Sequence, residues 1–146
     1  MKEVLGKPLL GHLLTRLRES KHLDEIAVST PVLPENDPIA ELCAQMGIPC
    51  FRGSEGDVLG RMLGCLKNQN ADTGVVVFGD CPLIDPLIVD EMIAAFRADD
   101  ELDFLGNDLK TTYPPGMDVE VFSFQLLERA MNEAKKPSER EHVTHY

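Results

Sequence analysis

The sequence predicts an α/β fold in which a mainly parallel sheet is covered by helices on both faces. Helical and strand-like segments alternate along most of the 146 residues. Residues 75–78 are four bulky apolar residues in a row, which is typical of a strand buried on both faces. Asp37-Pro38 and Asp85-Pro86 each place a capping residue before proline, as at the start of a helix. The length suits one domain, and we expect a single, partial domain over residues 1–146.

Apolar periodicity and end signals predict the helices. Five leucines between Leu9 and Leu17 form one stripe of the first helix. Gly47 is a typical glycine at a helix C-terminus. Ser54-x-x-Asp57 and Ser138-x-x-Glu141 match capping boxes. The first predicted helix begins at residue 9. Four more cover 37–46, 58–67, 86–97 and 125–135, and a last one begins at the second capping box.

Strand signals fill the gaps between these helices. The predicted strands are 25–30, 48–51, 75–78, 103–106 and 117–122. In the last of them, Asp118 and Glu120 alternate with apolar residues and therefore face the same side. Two such carboxylates belong either to a solvated face, which is the commoner case, or to a polar site.

Composition excludes some classes of partner. The chain has 25 acidic and 14 basic residues, a net charge of −11, which argues against nucleic acid and against an anionic membrane surface. Four cysteines without C-x-x-C spacing are expected to be reduced. The sequence has no apolar run of about 18 residues and no charged-then-apolar leader, so we expect a cytoplasmic protein.

Asp80 is the candidate metal ligand. It follows the predicted strand 75–78 and Gly79, which would let the backbone turn or let another group approach closely. In open α/β sheets, ligands bind outside the carboxyl ends of the strands. A carboxylate in such a loop suits a hard divalent cation. The alternative is that Asp80 only caps a turn.

Arg52 and Arg61 bracket the start of the predicted helix 58–67. With the free N–H groups of that helix end, they could form a small anion-binding corner. The alternative is that both arginines are simply solvated.

Several segments together resemble a known family. They are G-K-P-L-L (6–10), V-S-T (28–30), F-R-G-S (51–54), D-V-L-G-R (57–61), G-D-C-P-L-I-D (79–85), Y-P-P-G-M-D-V-E-V-F (113–122) and P-S-E-R-E-H-V-T (137–144). In this order they resemble cytidylyltransferases of the spore-coat polysaccharide biosynthesis protein F type. These enzymes are similar to the synthetases of CMP-activated acidic sugars such as CMP-Kdo and CMP-sialic acid.

The resemblance implies a Rossmann-like nucleotide-diphosphosugar transferase fold and a reaction between CTP and a sugar in surface polysaccharide biosynthesis. A sugar oxygen would attack the α-phosphate and release pyrophosphate, with Mg²⁺ as cofactor. Asp80 matches the family's metal-binding aspartate, and Asn107, Asp118 and Glu120 fall where the acceptor is expected. The resemblance implies a nucleotide site at Ser29, Thr30, Arg52, Gly53, Asp57, Arg61 and Gly79.

The ends depart from the family pattern. The family's first strand and its Gly/Arg/Lys phosphate loop would precede Gly6, and a second metal-binding aspartate would follow Tyr146. We therefore expect the 146 residues to be a fragment that transfers nucleotide poorly. Without the first strand, the strands 25–30 and 75–78 would have open edges, which makes a homo-oligomer plausible.

Two alternatives stay open. The chain could be a degenerate, non-catalytic binding or assembly module, or the enzyme could use another nucleoside triphosphate. The sequence does not predict which sugar accepts the nucleotide.

Overall fold

The computed structural model describes residues 1–108, 110 and 113–143. The strands in these ranges are β1 Glu3–Val4, β2 Lys7–Pro8, β3 Val28–Pro31, β4 Cys50–Gly53, β5 Thr73–Val76, β6 Phe104–Gly106 and β7 Glu120–Ser123. The helices are α1 Leu9–Leu17, α2 Asp37–Met46, α3 Val58–Gln69, α4 Pro86–Arg97, α5 Phe124–Glu133 and α6 Pro137–Glu141, with a 3₁₀ turn at Pro34–Asn36. The predicted α/β class is confirmed.

The described strands form three small sheets. β1 and β2 are an antiparallel pair. β3 and β4 are parallel, with Val28 opposite Cys50 and Pro31 opposite Gly53. The third sheet has the order β5-β7-β6, and β6 and β7 are antiparallel. The β3–β4 pair carries the parallel pairing that alternating helices and strands predict.

The chain forms two compact units. Unit 1 contains Met1–Ile26 and Val75–Phe122, and unit 2 contains Ala27–Gly74 and Ser123–Tyr146. In unit 1, apolar side chains of α1, α4 and β7 form one core around the turn that precedes α4. Its buried members are Leu13, Leu17, Ile84, Val89, Ile93, Val119 and Val121.

Unit 2 buries apolar faces of α2, α3 and α5, and α3 contacts β3, β4, α5 and α6. Its buried apolar side chains include Leu42, Cys43, Ile48, Leu59, Leu63, Leu127 and Ala130. Gly47 has φ 64° at the C-terminus of α2, so the predicted glycine cap is confirmed. None of the described helices is long and apolar enough to cross a membrane.

β5 differs from its prediction. It ends at Val76, so residues 77 and 78 lie outside it, and Phe78 is 48% exposed. The prediction of one strand over 75–78 that is buried on both faces was wrong, because the chain leaves the sheet after Val76 and Phe78 then lies in an exposed turn. Among the described strands, β5 is at the edge of its sheet.

Several helices and strands also begin at residues other than the predicted ones. Asp57, not Ser54, caps α3, and α6 begins at Pro137, before the expected Ser138. β3 begins at Val28 and β7 at Glu120, each three residues later than predicted. α4 covers Pro86–Arg97 as predicted, because the Asp85 side chain accepts the Leu87 N–H at 3.0 Å. Residues 144–146, where the last predicted helix would continue, lie outside the described residues.

Candidate functional site

Asp80 lies in an exposed turn of unit 1, four residues after β5 ends. The Cys81 N–H donates to the Phe78 carbonyl at 3.0 Å, and the Ile84 N–H donates to the Cys81 carbonyl at 3.2 Å. Two successive turns therefore present Asp80 to solvent. The structure gives Gly79 no positive φ, and a Cβ there would meet nothing within 4 Å. The backbone of this turn therefore does not require glycine at position 79. The space around Gly79, next to Asp80 in the chain, is open.

Arg16 fixes this turn from α1. Its Nε donates to the Ile84 carbonyl at 2.6 Å, and Ile84 is fully buried in the core of unit 1. Arg16 had no predicted role in the site. The two residues are 68 positions apart, and no local signal predicts such a contact.

Cys81 joins the Asp80 turn to the segment that leads into β7. Its buried thiol lies 3.7 Å from Asp80 Oδ1. Burial, and then the nearby carboxylates of Asp80 and Asp118, raise the pKa of the Cys81 thiol. A Cβ on Gly116 would lie 4.0 Å from Cys81 Sγ. Asp80 and Asp118 are therefore both neighbours of one thiol.

Asn107 orders the segment before β7. Its Nδ2 donates to the Met117 carbonyl at 2.9 Å, and its Oδ1 accepts the Val119 N–H at 2.8 Å. The Asn107 backbone N–H also donates to the Val119 carbonyl. Asn107 thus holds Asp118 in place through the backbone on either side of it.

Glu120 is a buried carboxylate of unit 1, with 5% of its surface exposed. Burial, and then repulsion from Asp108 and Asp118, raise the pKa of the Glu120 carboxyl to about 7. We name Asp80, Asp108, Asp118 and Glu120 the acidic cluster. Because Glu120 is buried, the solvated-face alternative for the two alternating carboxylates is wrong for this residue.

The acidic cluster offers a divalent cation few preformed ligands. Among the described residues, no three His, Cys, Asp or Glu side chains form a preformed metal cage. Mg²⁺ commonly uses one or two carboxylates together with waters and substrate phosphates. The exposed Asp80 carboxylate fits that mode of binding.

Arg52, in unit 2, already uses its donors within the protein. Its Nη1 lies 2.7 Å from Asp37 Oδ1, and its Nη2 donates to the Leu33 carbonyl at 2.9 Å. Nε and Nη2 also donate to the Pro31 carbonyl at 3.4 and 3.3 Å. Arg52 therefore holds the connection between β3 and α2.

Arg61 shapes the loop before α3. Its Nη1 donates to the carbonyls of Ser54 and Glu55. Its buried Nε has no hydrogen-bond partner among the described residues. A Cβ on Gly53 would meet Arg61 Cγ at 2.7 Å, so glycine at 53 makes this close approach possible.

Asp57 is paired within unit 2. Its Oδ1 accepts the Gly60 N–H at 3.0 Å and Arg140 Nε at 3.1 Å, and its Oδ2 accepts Arg140 Nη2 at 2.6 Å. The bidentate Arg140 contact, helped by the Gly60 N–H, lowers the pKa of the Asp57 carboxyl, and burial opposes this shift only in part. Asp57 therefore occupies the α3 N-terminus, where the anion-binding corner was expected.

Ser29 and Thr30 lie within β3, which ends at Pro31, one residue later than predicted; Ser29 is exposed and Thr30 is buried. Thr30 pairs with Arg52 across the parallel strands. Unit 2 therefore brings Thr30, Arg52, Gly53, Asp57 and Arg61 to the carboxyl ends of β3 and β4 and the start of α3. Arg140, which pairs with Asp57, had no predicted role of its own.

Parallel strands with helices between them, and polar residues at the strand ends, are typical of α/β proteins that bind a ligand at that edge of the sheet. A family model described as cytidylyltransferase matches residues 1–146, and the chain belongs to this family.

Three curated relatives are similar in sequence. An uncharacterised protein of Methanocaldococcus jannaschii is 38% identical over 94% of this chain and 55% of its own length. The spore coat polysaccharide biosynthesis protein SpsF of Bacillus subtilis is 30% identical over 94% of this chain and 58% of its own. A 3-deoxy-manno-octulosonate cytidylyltransferase of Nitratidesulfovibrio vulgaris is 30% identical over 66% of this chain and 38% of its own. The chain spans about half the length of the first two relatives.

A solved cytidylyltransferase from Leptospira borgpetersenii has a similar structure. It superimposes with a TM-score of 0.91 and 37% identity, over 94% of this chain and 58% of that one. The likeness confirms the predicted fold class.

Proposed function

We propose that the natural protein containing this chain is a cytidylyltransferase that transfers CMP from CTP to a sugar in surface polysaccharide biosynthesis. Membership of the cytidylyltransferase family over residues 1–146 carries this proposal. The similarity to a polysaccharide biosynthesis protein supports the sugar as acceptor. The exposed Asp80 turn supplies a carboxylate suited to a metal–triphosphate group.

In this reaction an acceptor oxygen attacks the α-phosphorus of CTP, and the bond to the β-phosphate breaks to release pyrophosphate. Asp80 is the residue that would hold Mg²⁺, which when bound neutralises charge on the phosphates. Arg16 keeps the Asp80 turn in position through the Ile84 carbonyl. Gly79 leaves room for a phosphate beside Asp80.

In unit 2, we assign Ser29, Thr30, Gly53 and Arg61 to direct nucleotide contact. Arg61 Nε has no partner in the described part of the chain, and Ser29 is exposed. Arg52 and Asp57 act as positioning residues, because their polar atoms already hold the loops that carry the others. In unit 1, we assign Asn107, Asp118 and Glu120 to the acceptor.

The test compares Asp80→Asn with Asp24→Asn in the natural protein. Asp24 is a matched control because its carboxylate is 97% exposed and lies 3.6 Å from Arg97. We expect Asp80→Asn to lose Mg²⁺-dependent CTP binding and pyrophosphate release, whereas Asp24→Asn keeps both. Unchanged Mg²⁺ dependence in Asp80→Asn would refute the assigned role.

The same assay separates the alternatives. A preference for GTP or UTP over CTP would indicate another nucleotidyltransferase. Absence of any Mg²⁺-dependent nucleotide binding by the natural protein would favour a non-catalytic module.

Cytoplasmic location, self-association and weak activity of the 146 residues alone stay predictions. Fractionation, light scattering and comparison with the natural gene product test them in turn.

A further inference from the structure

Arg140 of α6 binds the carboxylate at the start of α3 and also contacts α5. Its Nε and Nη2 donate to the two oxygens of Asp57 at 3.1 and 2.6 Å, and its Nη2 lies 3.2 Å from Met131 Sδ. A guanidinium that binds both oxygens of a carboxylate fixes the direction of that carboxylate and balances its charge. Arg140 therefore joins three helices of unit 2 at one point.

Asp57 sets the first turn of α3. Its side chain accepts the Gly60 N–H at 3.0 Å, and its backbone carbonyl accepts the Arg61 N–H at 3.1 Å. A residue that caps a helix in this way determines where the first turn lies. Arg61 belongs to this turn, so the position of its side chain depends on Asp57.

Arg61 has acceptors for its hydrogen bonds but keeps its charge. Its Nη1 donates to the carbonyls of Ser54 and Glu55, and its Nε has no partner among the residues that the structure describes. Carbonyl oxygens accept hydrogen bonds without cancelling the positive charge of a guanidinium. The charge of Arg61 is therefore available to an anionic ligand.

The Asp57 carboxylate competes with such a ligand for Arg61. Contact with Arg140 is the largest cause that lowers the pKa of the Asp57 carboxyl, and attraction to Arg61 is a weaker one. Without Arg140, both oxygens of Asp57 would be free to bind Arg61. The unbalanced negative charge of Asp57 would also repel a phosphate at the start of α3.

We propose that Arg140 is a positioning residue of the nucleotide site, which holds Asp57 so that Arg61 stays available to the anionic nucleotide. Arg140 itself does not contact the nucleotide in this role. The inference rests on the proposed function, because that function assigns Arg61 to nucleotide contact.

The experiment compares the natural protein with Arg140→Gln, Arg140→Lys and the double variant Asp57→Asn/Arg140→Gln. Lys135→Gln is the matched control, because it removes an exposed charge of the same sign close by in the chain. Calorimetric titration with CTP, with and without Mg²⁺, gives each Kd. Urea unfolding shows that each variant is folded at the temperature of the titration, so that a loss of stability alone does not change the Kd.

We expect Arg140→Gln to raise the Kd for CTP about 10-fold, because it leaves one uncompensated charge near the ligand. Adding Asp57→Asn to this variant should return the Kd to within about 3-fold of the wild-type value, because a neutral amide neither binds Arg61 strongly nor repels a phosphate. Arg140→Lys keeps the charge without the bidentate contact, so its Kd should lie between those of Arg140→Gln and the wild type. Lys135→Gln should match the wild type, and all variants should keep the Mg²⁺ dependence.

Two results would overturn the inference. An unchanged Kd in folded Arg140→Gln, or in folded Arg140→Lys if the glutamine variant does not fold, would leave Arg140 with a structural role only. A double variant that binds CTP as weakly as Arg140→Gln would show that release of Asp57 is not the cause.

The proposed function fails by a different result. If the natural protein binds CTP but transfers CMP to no sugar, the proposed function is wrong, and the CTP affinities still decide the role of Arg140. If the natural protein binds no CTP, the proposed function and the role of Arg140 are both wrong.

Discussion

The carboxylates of the predicted site differ between the two units. In unit 2, Arg140 holds both oxygens of Asp57, and Arg52 and Arg61 donate to backbone carbonyls of the neighbouring loops. In unit 1, Asp80 is exposed, and Glu120 is buried beside like charges. Charges that are paired stabilise the loops they join, whereas a carboxylate buried beside like charges lowers stability. Loss of a charge is therefore expected to raise stability at Glu120 and to lower it at Arg140.

The largest effect on stability is expected at Glu120. The ordinary carboxyl pKa is 4.5 and the value here is about 7, so the folded state binds a proton that the unfolded state loses between these values. Stability therefore falls as pH rises from about 4.5 to about 7. At about 1.4 kcal/mol per pKa unit, Glu120→Gln should be more stable than wild type by about 3 kcal/mol at pH 8. Near pH 4 the two proteins should be equal.

Urea unfolding at both pH values measures this difference, with Glu101→Gln as the control for loss of a surface charge. Equal stability of wild type and Glu120→Gln at pH 8 would show that the Glu120 carboxyl is not desolvated. The contrast between the paired Asp57 of unit 2 and the buried Glu120 of unit 1 would then be wrong.

A smaller effect of opposite sign is expected at Arg140. Its side chain is 26% exposed and Asp57 is 28% exposed, so solvent screens their attraction in part. Arg140→Gln should destabilise the protein by about 1 kcal/mol at pH 7. The Asp57 pKa is lowered in the folded state, so this contribution is present above the ordinary pKa and is lost as pH falls through the lowered value.

Thermal unfolding at pH 7 and at pH 3 follows this loss, and Lys135→Gln removes an exposed charge of the same sign nearby. If Arg140→Gln and Lys135→Gln had equal effects at pH 7, the Asp57–Arg140 pair would contribute nothing to stability.

Effects of about 1 kcal/mol or less are expected at two glycines. Gly53→Ala places a Cβ 2.7 Å from Arg61 Cγ and should destabilise by about 1 kcal/mol. Gly79→Ala meets nothing within 4 Å and should leave stability within about 0.5 kcal/mol. If Gly79 leaves room for phosphate, Gly79→Ala should nevertheless weaken CTP binding. Urea unfolding and calorimetric CTP titration of both variants test this pair, and CTP affinity unchanged in Gly79→Ala would remove Gly79 from the proposed site.

Local signals predicted the helices well. Asp85-Pro86 fixed the start of α4, and Gly47 the end of α2, because caps depend on neighbouring residues alone. β5 was predicted to be longer and more buried than it is. Which strands pair, and where a strand leaves the sheet, are set by tertiary structure and not by the strand's own residues. The same four apolar residues would suit a central strand elsewhere.

The site was predicted less completely. Asp80 in an exposed turn followed from a strand, a glycine and a helix start that are adjacent in sequence. The bidentate Asp57–Arg140 contact joins residues 83 positions apart, and Arg52 reaches carbonyls 19 and 21 positions away. Partners at such separations leave no periodic signal. The alternation around Glu120 predicted its face, but not that tertiary packing would bury it.

The comparison of Asp57→Asn with Asp80→Asn in the natural protein tests the contrast between the units most directly. The measurements are the free energy of unfolding in urea and the Mg²⁺ dependence of CTP binding by calorimetry. We predict that Asp57→Asn loses about 1–2 kcal/mol of stability through its weakened cap and ion pair. Asp80→Asn should unfold like the wild type and lose the Mg²⁺ dependence. An Asp80→Asn protein that is destabilised as much as Asp57→Asn and still binds CTP with full Mg²⁺ dependence would contradict this account.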